Sequence, residues 1–258
     1  MPCSLPTEIL DLIIDSLRNE PATLKTCCVV NKSWIHRTQK HLFANVGFFV
    51  YRCVRCWSET FPDPANSPTC HTRTLVIFNS HLVTATGAGI ISAFRNVIHL
   101  RVDTYGWPYK RISIVPLRGL PPVLRSLDMA FASASLPKSE VLGLICSLPL
   151  LEDLSLESIT RRNEGEGEVE GVFHPSPSPS PRLSGFLELR MMEGIQSTAL
   201  RLVDLPSGLH FTMISVWCHS EGDVRSTMDL VSRCSNTLES LDVAYYLPGA
   251  SPSALVPR

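Results

Sequence analysis

The sequence predicts an α/β repeat protein, in which parallel strands and helices stack, preceded by a small module of three helices. Seven short segments with an apolar–x–apolar step recur at intervals of 25, 27, 27, 33, 27 and 27 residues. Helical patterns lie between several of these segments. One such unit cannot bury its own apolar face, but stacked units form a continuous core. The residues before the first segment carry three short helical patterns instead.

The first helix is predicted over Ser4–Leu17. Pro6 suits the first helical turn, where a backbone N–H has no partner, and Glu8 suits the positive end of the helix dipole. Apolar residues follow with helical spacing at positions 10, 13, 14 and 17, with Ile9 beside them. The second and third helices are predicted over Ala22–Val30 and Asn31–Phe43.

The first helix is too apolar for the module that contains it. Three short helices in about 45 residues lie near the lower size limit for independent folding and cannot cover both faces of the first helix. Burying a Leu or Ile side chain is worth roughly 1.5–3 kcal/mol. The side chains of Leu5, Ile9 and Ile13 are therefore expected to meet another surface, which is either the following domain or a separate protein.

The N-terminal segment "LPTEILDLIIDSL…LKTCCVVNKSWIHRTQKHLF" resembles an F-box, especially the divergent type abundant in fungal proteins. The resemblance implies docking on a Skp-type adaptor, which links the chain to a cullin ubiquitin ligase. Some of the matching residues, Trp34 above all, could instead belong to the internal core. By position, the resemblance makes these residues contact candidates: Leu5, Pro6, Ile9, Leu10, Ile13, Leu24 and Trp34.

The recurring segments predict seven strands. Helical patterns precede the second, fourth and seventh strands, in "GIISAFRNV", "KSEVLGLICSL" and "DVRSTMDLVSRC". The period resembles that of the irregular leucine-rich repeats that commonly follow F-boxes, which implies a solenoid over residues 70–250. The usual Asn after the strand is absent from most units. The apolar pairs are Leu75/Ile77, Leu100/Val102, Leu127/Met129, Leu154/Leu156, Leu187/Leu189, Ile214/Val216 and Leu241/Val243.

The predicted organisation has four parts: the helical module (1–47), a connector (48–69), the repeats (70–250) and a tail (251–258). Residues 161–182 are acidic, then rich in Gly, then in alternating Pro and Ser, which predicts a disordered insertion. Ser176, Ser178 and Ser180 precede prolines, so the insertion is either a phosphorylated segment or a spacer. The tail ends in "LVPR", which is either native or a protease-site scar.

Residues that flank each buried pair should point away from the core, because side chains alternate along a strand. Most of these are small or charged, but Phe186, Met213 and Trp217 would share one face of two adjacent strands. Exposed aromatic and Met side chains are typical of interface anchors. The hypothesis is that this patch binds a target protein, with Glu188 and Arg190 at its rim. The alternative is that the Pro-Ser insertion or the tail covers the patch.

Two sequence patterns give only weak evidence of a metal or cofactor site. Cys53, Cys56, Cys70 and His71 form C-x2-C-x13-C-H, which could ligate zinc, but a second C-x2-C pair is missing and ordinary thiols are favoured. Gly87-x-Gly89 before a helix only loosely matches a dinucleotide-binding loop. The sequence contains no Walker-type, G-x-S-x-G or H-E-x-x-H motif. These observations predict a protein without a cofactor that is not an enzyme.

The composition of the chain bears on the class of its partner and on its cellular location. The chain has 258 residues and a net charge of −1, which does not favour nucleic acid as a partner. The N-terminus does not read as a signal peptide, no apolar run is long enough to span a membrane, and the nine scattered cysteines suggest reduced thiols. A cytoplasmic or nuclear location is therefore expected.

The resemblances imply the substrate-recognition subunit of a Skp–cullin–F-box ubiquitin ligase, with an unknown target protein. The alternative is a leucine-rich-repeat scaffold whose N-terminal helices only cap the solenoid. A third, weaker interpretation is a zinc-dependent binding module around Cys53–His71.

Overall fold

The structure is a computed structural model. Its described residues are 6–63, 66–78, 89–103, 117, 119–120, 122–131, 138–158, 181–190, 202–203, 205 and 208–245. Leu5, most of the predicted insertion (161–180) with its three Pro-flanked serines, and the tail 251–258 with its "LVPR" ending lie outside this part of the chain.

The N-terminal residues form the three predicted helices. Helix α1 spans Thr7–Ser16, α2 spans Pro21–Val30 and α3 spans Ile35–Leu42, with a 3-10 turn at Lys32–Trp34 before α3. Pro21 stands at the first position of α2, where its missing N–H costs nothing. The Asn31 side chain caps the 3-10 turn by accepting a hydrogen bond from the Ser33 N–H at 3.0 Å.

The rest of the described chain is built on one sheet of eight parallel strands, arranged in sequence order. Parallel neighbours of this kind require a crossover after each strand, and the intervals between the recurring segments are long enough to supply it. The strands are β1 Asn45–Phe48, β2 Thr74–Phe78, β3 His99–Asp103, β4 Ser126–Phe131, β5 Asp153–Ser158, β6 Phe186–Arg190, β7 Met213–Cys218 and β8 Ser240–Tyr245.

The register of the sheet aligns the predicted apolar pairs. Leu75 pairs with Leu100, which pairs with Leu127, and the same row continues through every strand to Leu241. In β2 to β7 both members of each pair are at most 3% exposed. The seven predicted strands and the parallel α/β arrangement are therefore confirmed.

Helices cover the buried side of the sheet. Helix α5 spans Lys138–Cys146 and α6 spans Glu221–Arg233, close to two of the predicted helical patterns. Ser220 caps α6 by accepting a hydrogen bond from the Asp223 N–H at 3.1 Å. Leu144 of α5 and Leu230 of α6 are both fully buried, and they belong to one contiguous core that also contains the strand residues.

Residues 48–69, which the sequence predicted to be a connector, contain regular secondary structure. Strand β1 ends at Phe48, helix α4 spans Tyr51–Thr60 and a 3-10 turn spans Pro68–His71. The Phe48 ring lies 5.6 Å from the Trp57 ring and 6.0 Å from the Phe94 ring, so this segment helps to form the core. The polar stretch after Trp57 suggested a linker. Strand β1 and helix α4, however, form the first strand and helix of the sheet domain.

Candidate partner-binding surfaces

Helix α1 exposes an apolar surface. Its buried side is anchored by Ile14, which is 3% exposed. On the opposite side Ile9 is 43%, Leu12 65% and Ile13 47% exposed. These three residues, called the α1 surface below, follow the spacing i, i+3 and i+4, which places them on one side of the helix. Neither the other helices nor the sheet, as far as the structure describes them, buries these three side chains.

The structure places the other predicted contact residues differently. Pro6 is exposed where α1 begins, while Leu10 and Trp34 are half-buried. Leu24 is 1% exposed, so its expected contact role is corrected: it belongs to the interior of the module, on the buried side of α2. An apolar residue in a helical stripe points either inward or outward, and the family pattern alone did not distinguish the two.

Sequence reasoning missed three exposed apolar residues of the module. Leu12 completes the α1 surface. Its spacing from Ile9 indicated that the two side chains share one side of the helix, but the prediction followed the apolar stripe through Leu10 and Ile14 instead. Val29 and Val30, at the end of α2, are 84% and 64% exposed. Together these residues enlarge the uncovered apolar area of the N-terminal module.

An ionic cluster holds α1 against α3. The Asp15 carboxylate accepts hydrogen bonds from Nε of Arg37 and Nε2 of His41, each at 2.7 Å, and also pairs with the Arg37 terminal nitrogen. The Arg37 guanidinium, followed by His41, holds the pKa of the Asp15 carboxyl well below its usual range. The cluster fixes the orientation of α1 and therefore of its exposed side.

The sheet turns a second surface outward, formed by the residues between the buried pairs. The predicted target patch lies on this outward face: Phe186 pairs directly with Met213, and Trp217 is four residues further along the same strand. Met213 is 48% exposed, while Phe186 and Trp217 are half-buried. Glu188 and Arg190 follow Phe186 on this face of β6 and form an ion pair.

The weak metal candidates lie on two different elements. Cys53 and Cys56 are on α4, whereas Cys70 and His71 are on the 3-10 turn before β2. The His71 ring lies 4.9 Å from the His36 ring of α3, and burial lowers the pKa of His71. Within the described ranges, no group of three or more His, Cys, Asp or Glu residues is arranged to hold a metal ion. Gly87 of the loose dinucleotide pattern lies outside those ranges.

In the part of the chain that the structure describes, no helix combines the length and the apolar character needed to cross a bilayer. Comparisons with protein-family models, with curated proteins and with solved structures found no match to this chain.

Proposed function

We propose that this chain is the substrate-recognition subunit of a Skp–cullin–F-box ubiquitin ligase. In this proposal the three N-terminal helices are an F-box that binds the Skp-type adaptor. The eight strands and their helices are irregular leucine-rich repeats that hold a target protein. The support comes from the F-box resemblance, from the regular parallel sheet and from the uncovered α1 surface.

The α1 surface is the observation that carries the proposal. The chain has a large buried core, yet it leaves Ile9, Leu12 and Ile13 between 43% and 65% exposed on one side of a short helix. A fully buried Leu or Ile contributes roughly 1.5–3 kcal/mol, so a partner that covers these three side chains gains several kcal/mol of association free energy. The same residues are the ones that the resemblance assigns to the adaptor, with Leu12 added.

The mechanism requires no catalytic group in this chain. The helices hold the adaptor and hence the ligase, and the outward face of the sheet holds the target. Ubiquitin is transferred to a target lysine by the enzymes of the ligase. The chain contributes by raising the effective concentration of the target beside those enzymes.

Co-purification with a Skp-type adaptor tests the proposal. The full chain is expected to retain the adaptor, and the Ile9→Asp/Ile13→Asp variant is expected to lose it, because two carboxylates would be buried against an apolar partner. Met228→Asp is the matched control, since Met228 is 57% exposed on α6. Circular dichroism and thermal unfolding check that each variant folds. Failure of the intact chain to bind, or full binding by the folded double variant, contradicts the proposal.

The second candidate is a repeat scaffold whose N-terminal helices only cap the sheet, because terminal repeats need a cover. The observation in its favour is the close junction of the module with the sheet. The Ala44 carbonyl, just after α3, accepts hydrogen bonds from the Arg73 and Thr74 N–H groups at 2.8 and 3.0 Å, and the His36 and His71 rings are in contact. This candidate predicts no adaptor binding by the intact chain.

A further inference from the structure

The outward face of the sheet is negatively charged. The whole chain is almost neutral, with 23 Lys and Arg against 24 Asp and Glu. On this face, the described strand residues of β3 to β8 outside the buried rows include five carboxylates that are at least partly exposed and two guanidinium groups. They are Asp128, Asp153, Glu157, Glu188 and Asp242, with Arg101 and Arg190; Asp103 of the same face is only 4% exposed and lies 3.7 Å from Arg101.

The charges crowd at the centre of this face, around Ser155. Asp128 and Glu188 lie on either side of Ser155 in the register, and the Ser155 hydroxyl donates a hydrogen bond to Oε2 of Glu188 at 3.1 Å. Glu157 is two residues further along the same strand and the same face. Three carboxylates thus lie on three adjacent strands, which are about 4.8 Å apart.

The two arginines leave this centre with one carboxylate more than it has guanidinium groups. Nε of Arg101 is 3.5 Å from Asp128, and Arg190 pairs with Glu188 and stands opposite Glu157 in the register. Burial raises the pKa of the Asp128 carboxyl, against the lowering effects of Arg101 and of the Ser155 hydrogen bond, and the charges of Glu188 and Glu157 add to the rise. A cation from a partner is attracted by the excess negative charge of this centre.

An apolar anchor lies beside the charged centre. Phe186 and Met213 are paired on β6 and β7, one strand beyond Ser155, and Met213 is 48% exposed. From Glu188 to Met213 the distance is one strand spacing and two residues, roughly 8 Å, and from Asp128 to Phe186 it is two strand spacings and two residues, roughly 12 Å. An extended peptide rises about 3.3 Å per residue, so two to four residues span this interval.

We propose that the outward face binds an extended segment in which a Lys or Arg lies two to four residues from a large apolar side chain. The basic group enters the Asp128–Glu157–Glu188 centre, and the apolar group packs on Phe186 and Met213. An acidic segment would meet like charge and is disfavoured. The inference rests on the proposed function only in treating the bound segment as part of a ligase target.

Selection from a phage-displayed library of random twelve-residue peptides, with the full chain as bait, tests this inference. The expected result is enrichment of peptides that combine a Lys or Arg with an apolar residue at the stated spacing, with binding that weakens as salt rises. Recovery of no peptide, or of peptides without a basic excess, overturns it. Adaptor binding is measured separately on the same protein, so failure of one assay does not affect the other.

Matched variants locate the binding face. Asp128→Asn/Glu157→Gln removes two charges at the centre and is expected to weaken the selected peptide about tenfold. Glu221→Gln/Asp229→Asn removes the same two charges on α6 and is expected to leave the affinity unchanged. Met213→Ala, which removes an exposed side chain, is expected to weaken binding with the salt dependence retained. Equal affinity for the centre and α6 variants contradicts the inference, provided both retain the native circular dichroism spectrum.

Discussion

The two ends of the sheet carry the same apolar step but differ in burial. At the N-terminal end, Val46 and Phe48 of β1 are 7% and 2% exposed. At the C-terminal end, Leu241 and Val243 of β8 are 43% and 44% exposed, although they continue the same buried rows. The comparison teaches that burial in this fold is supplied by the neighbouring unit and not by the step itself.

The N-terminal end is covered because α4 and an aromatic cluster pack against it. The Trp57 ring lies 6.0 Å from the Phe43 ring and 5.7 Å from the Phe94 ring, and Phe48 joins the same group. Among the described residues, no comparable group follows β8. The difference between the ends is therefore a difference in which elements flank the sheet.

Phe48→Ala tests the covered end and should have the largest effect. Removing the ring leaves a cavity among Trp57 and Phe94, so the free energy of unfolding is expected to fall by about 3–5 kcal/mol. Urea unfolding followed by tryptophan fluorescence measures the change. Phe49→Ala is the control, because Phe49 is 57% exposed and its ring stacks on the Phe78 ring at 4.9 Å. Equal losses for Phe48→Ala and Phe49→Ala would mean that the N-terminal cluster is not a core.

Leu154→Ala and Leu241→Ala compare an interior strand with the open end. Leu154 is fully buried on β5, and its truncation is expected to cost about 2–5 kcal/mol. Leu241 occupies the same row on β8 but is 43% exposed, and its truncation is expected to cost roughly 1 kcal/mol. Both changes remove the same atoms, so unfolding by urea isolates the contribution of the neighbours. Equal costs would show that the eighth strand is covered in solution.

Asp15→Asn tests the N-terminal module and should have the smallest effect. Because Arg37 and His41 depress the pKa of Asp15 in the native state, its ionisation stabilises the fold above the ordinary pKa of 3.8. The variant is expected to melt a few degrees lower at pH 7. The difference should narrow as the pH falls below 3.8, because the carboxyl of the unfolded state then takes up a proton, and it should vanish once the pH falls through the depressed native pKa.

Asp11→Asn is the control for this measurement, because Asp11 lies 3.9 Å from Arg37 and is more exposed. Its melting temperature is expected to change less than that of Asp15→Asn. Thermal unfolding curves between pH 2 and pH 7 decide the matter. Identical curves for the wild type and Asp15→Asn at neutral pH would contradict a stabilising role for the cluster.

Much of the sheet could be predicted from sequence because the signal repeats. A single pair such as Leu100/Val102 is uninformative, but seven pairs near one spacing require stacked parallel strands. Strand β1 was missed even though Val46 and Phe48 carry the step 29 residues before Leu75. Its position directly after α3 and the polar residues after Trp57 suggested a connector instead.

The candidate site was predicted less completely. The small size of the module correctly indicated that Ile9 and Ile13 lack cover, because three short helices cannot bury every apolar side chain. Leu24 was assigned to the contact surface although it is buried, and Leu12 was not assigned to any surface. Which apolar stripe of a helix faces inward depends on the packing of α2 and on the Asp15–Arg37 pairing between α1 and α3. Neither contact can be recognised from the periodicity of the sequence.

The widest interval, between β5 and β6, has a practical consequence. The register from Leu154 to Leu187 is in phase with the rows on either side, although 33 residues separate them where most neighbours are about 27 apart. The longer chain in this interval therefore changes neither the order nor the register of the strands. The Gly-rich and Pro-Ser-rich sequence within residues 161–180 is therefore the place to insert an affinity tag or a fluorescent reporter while leaving both ends of the protein unaltered.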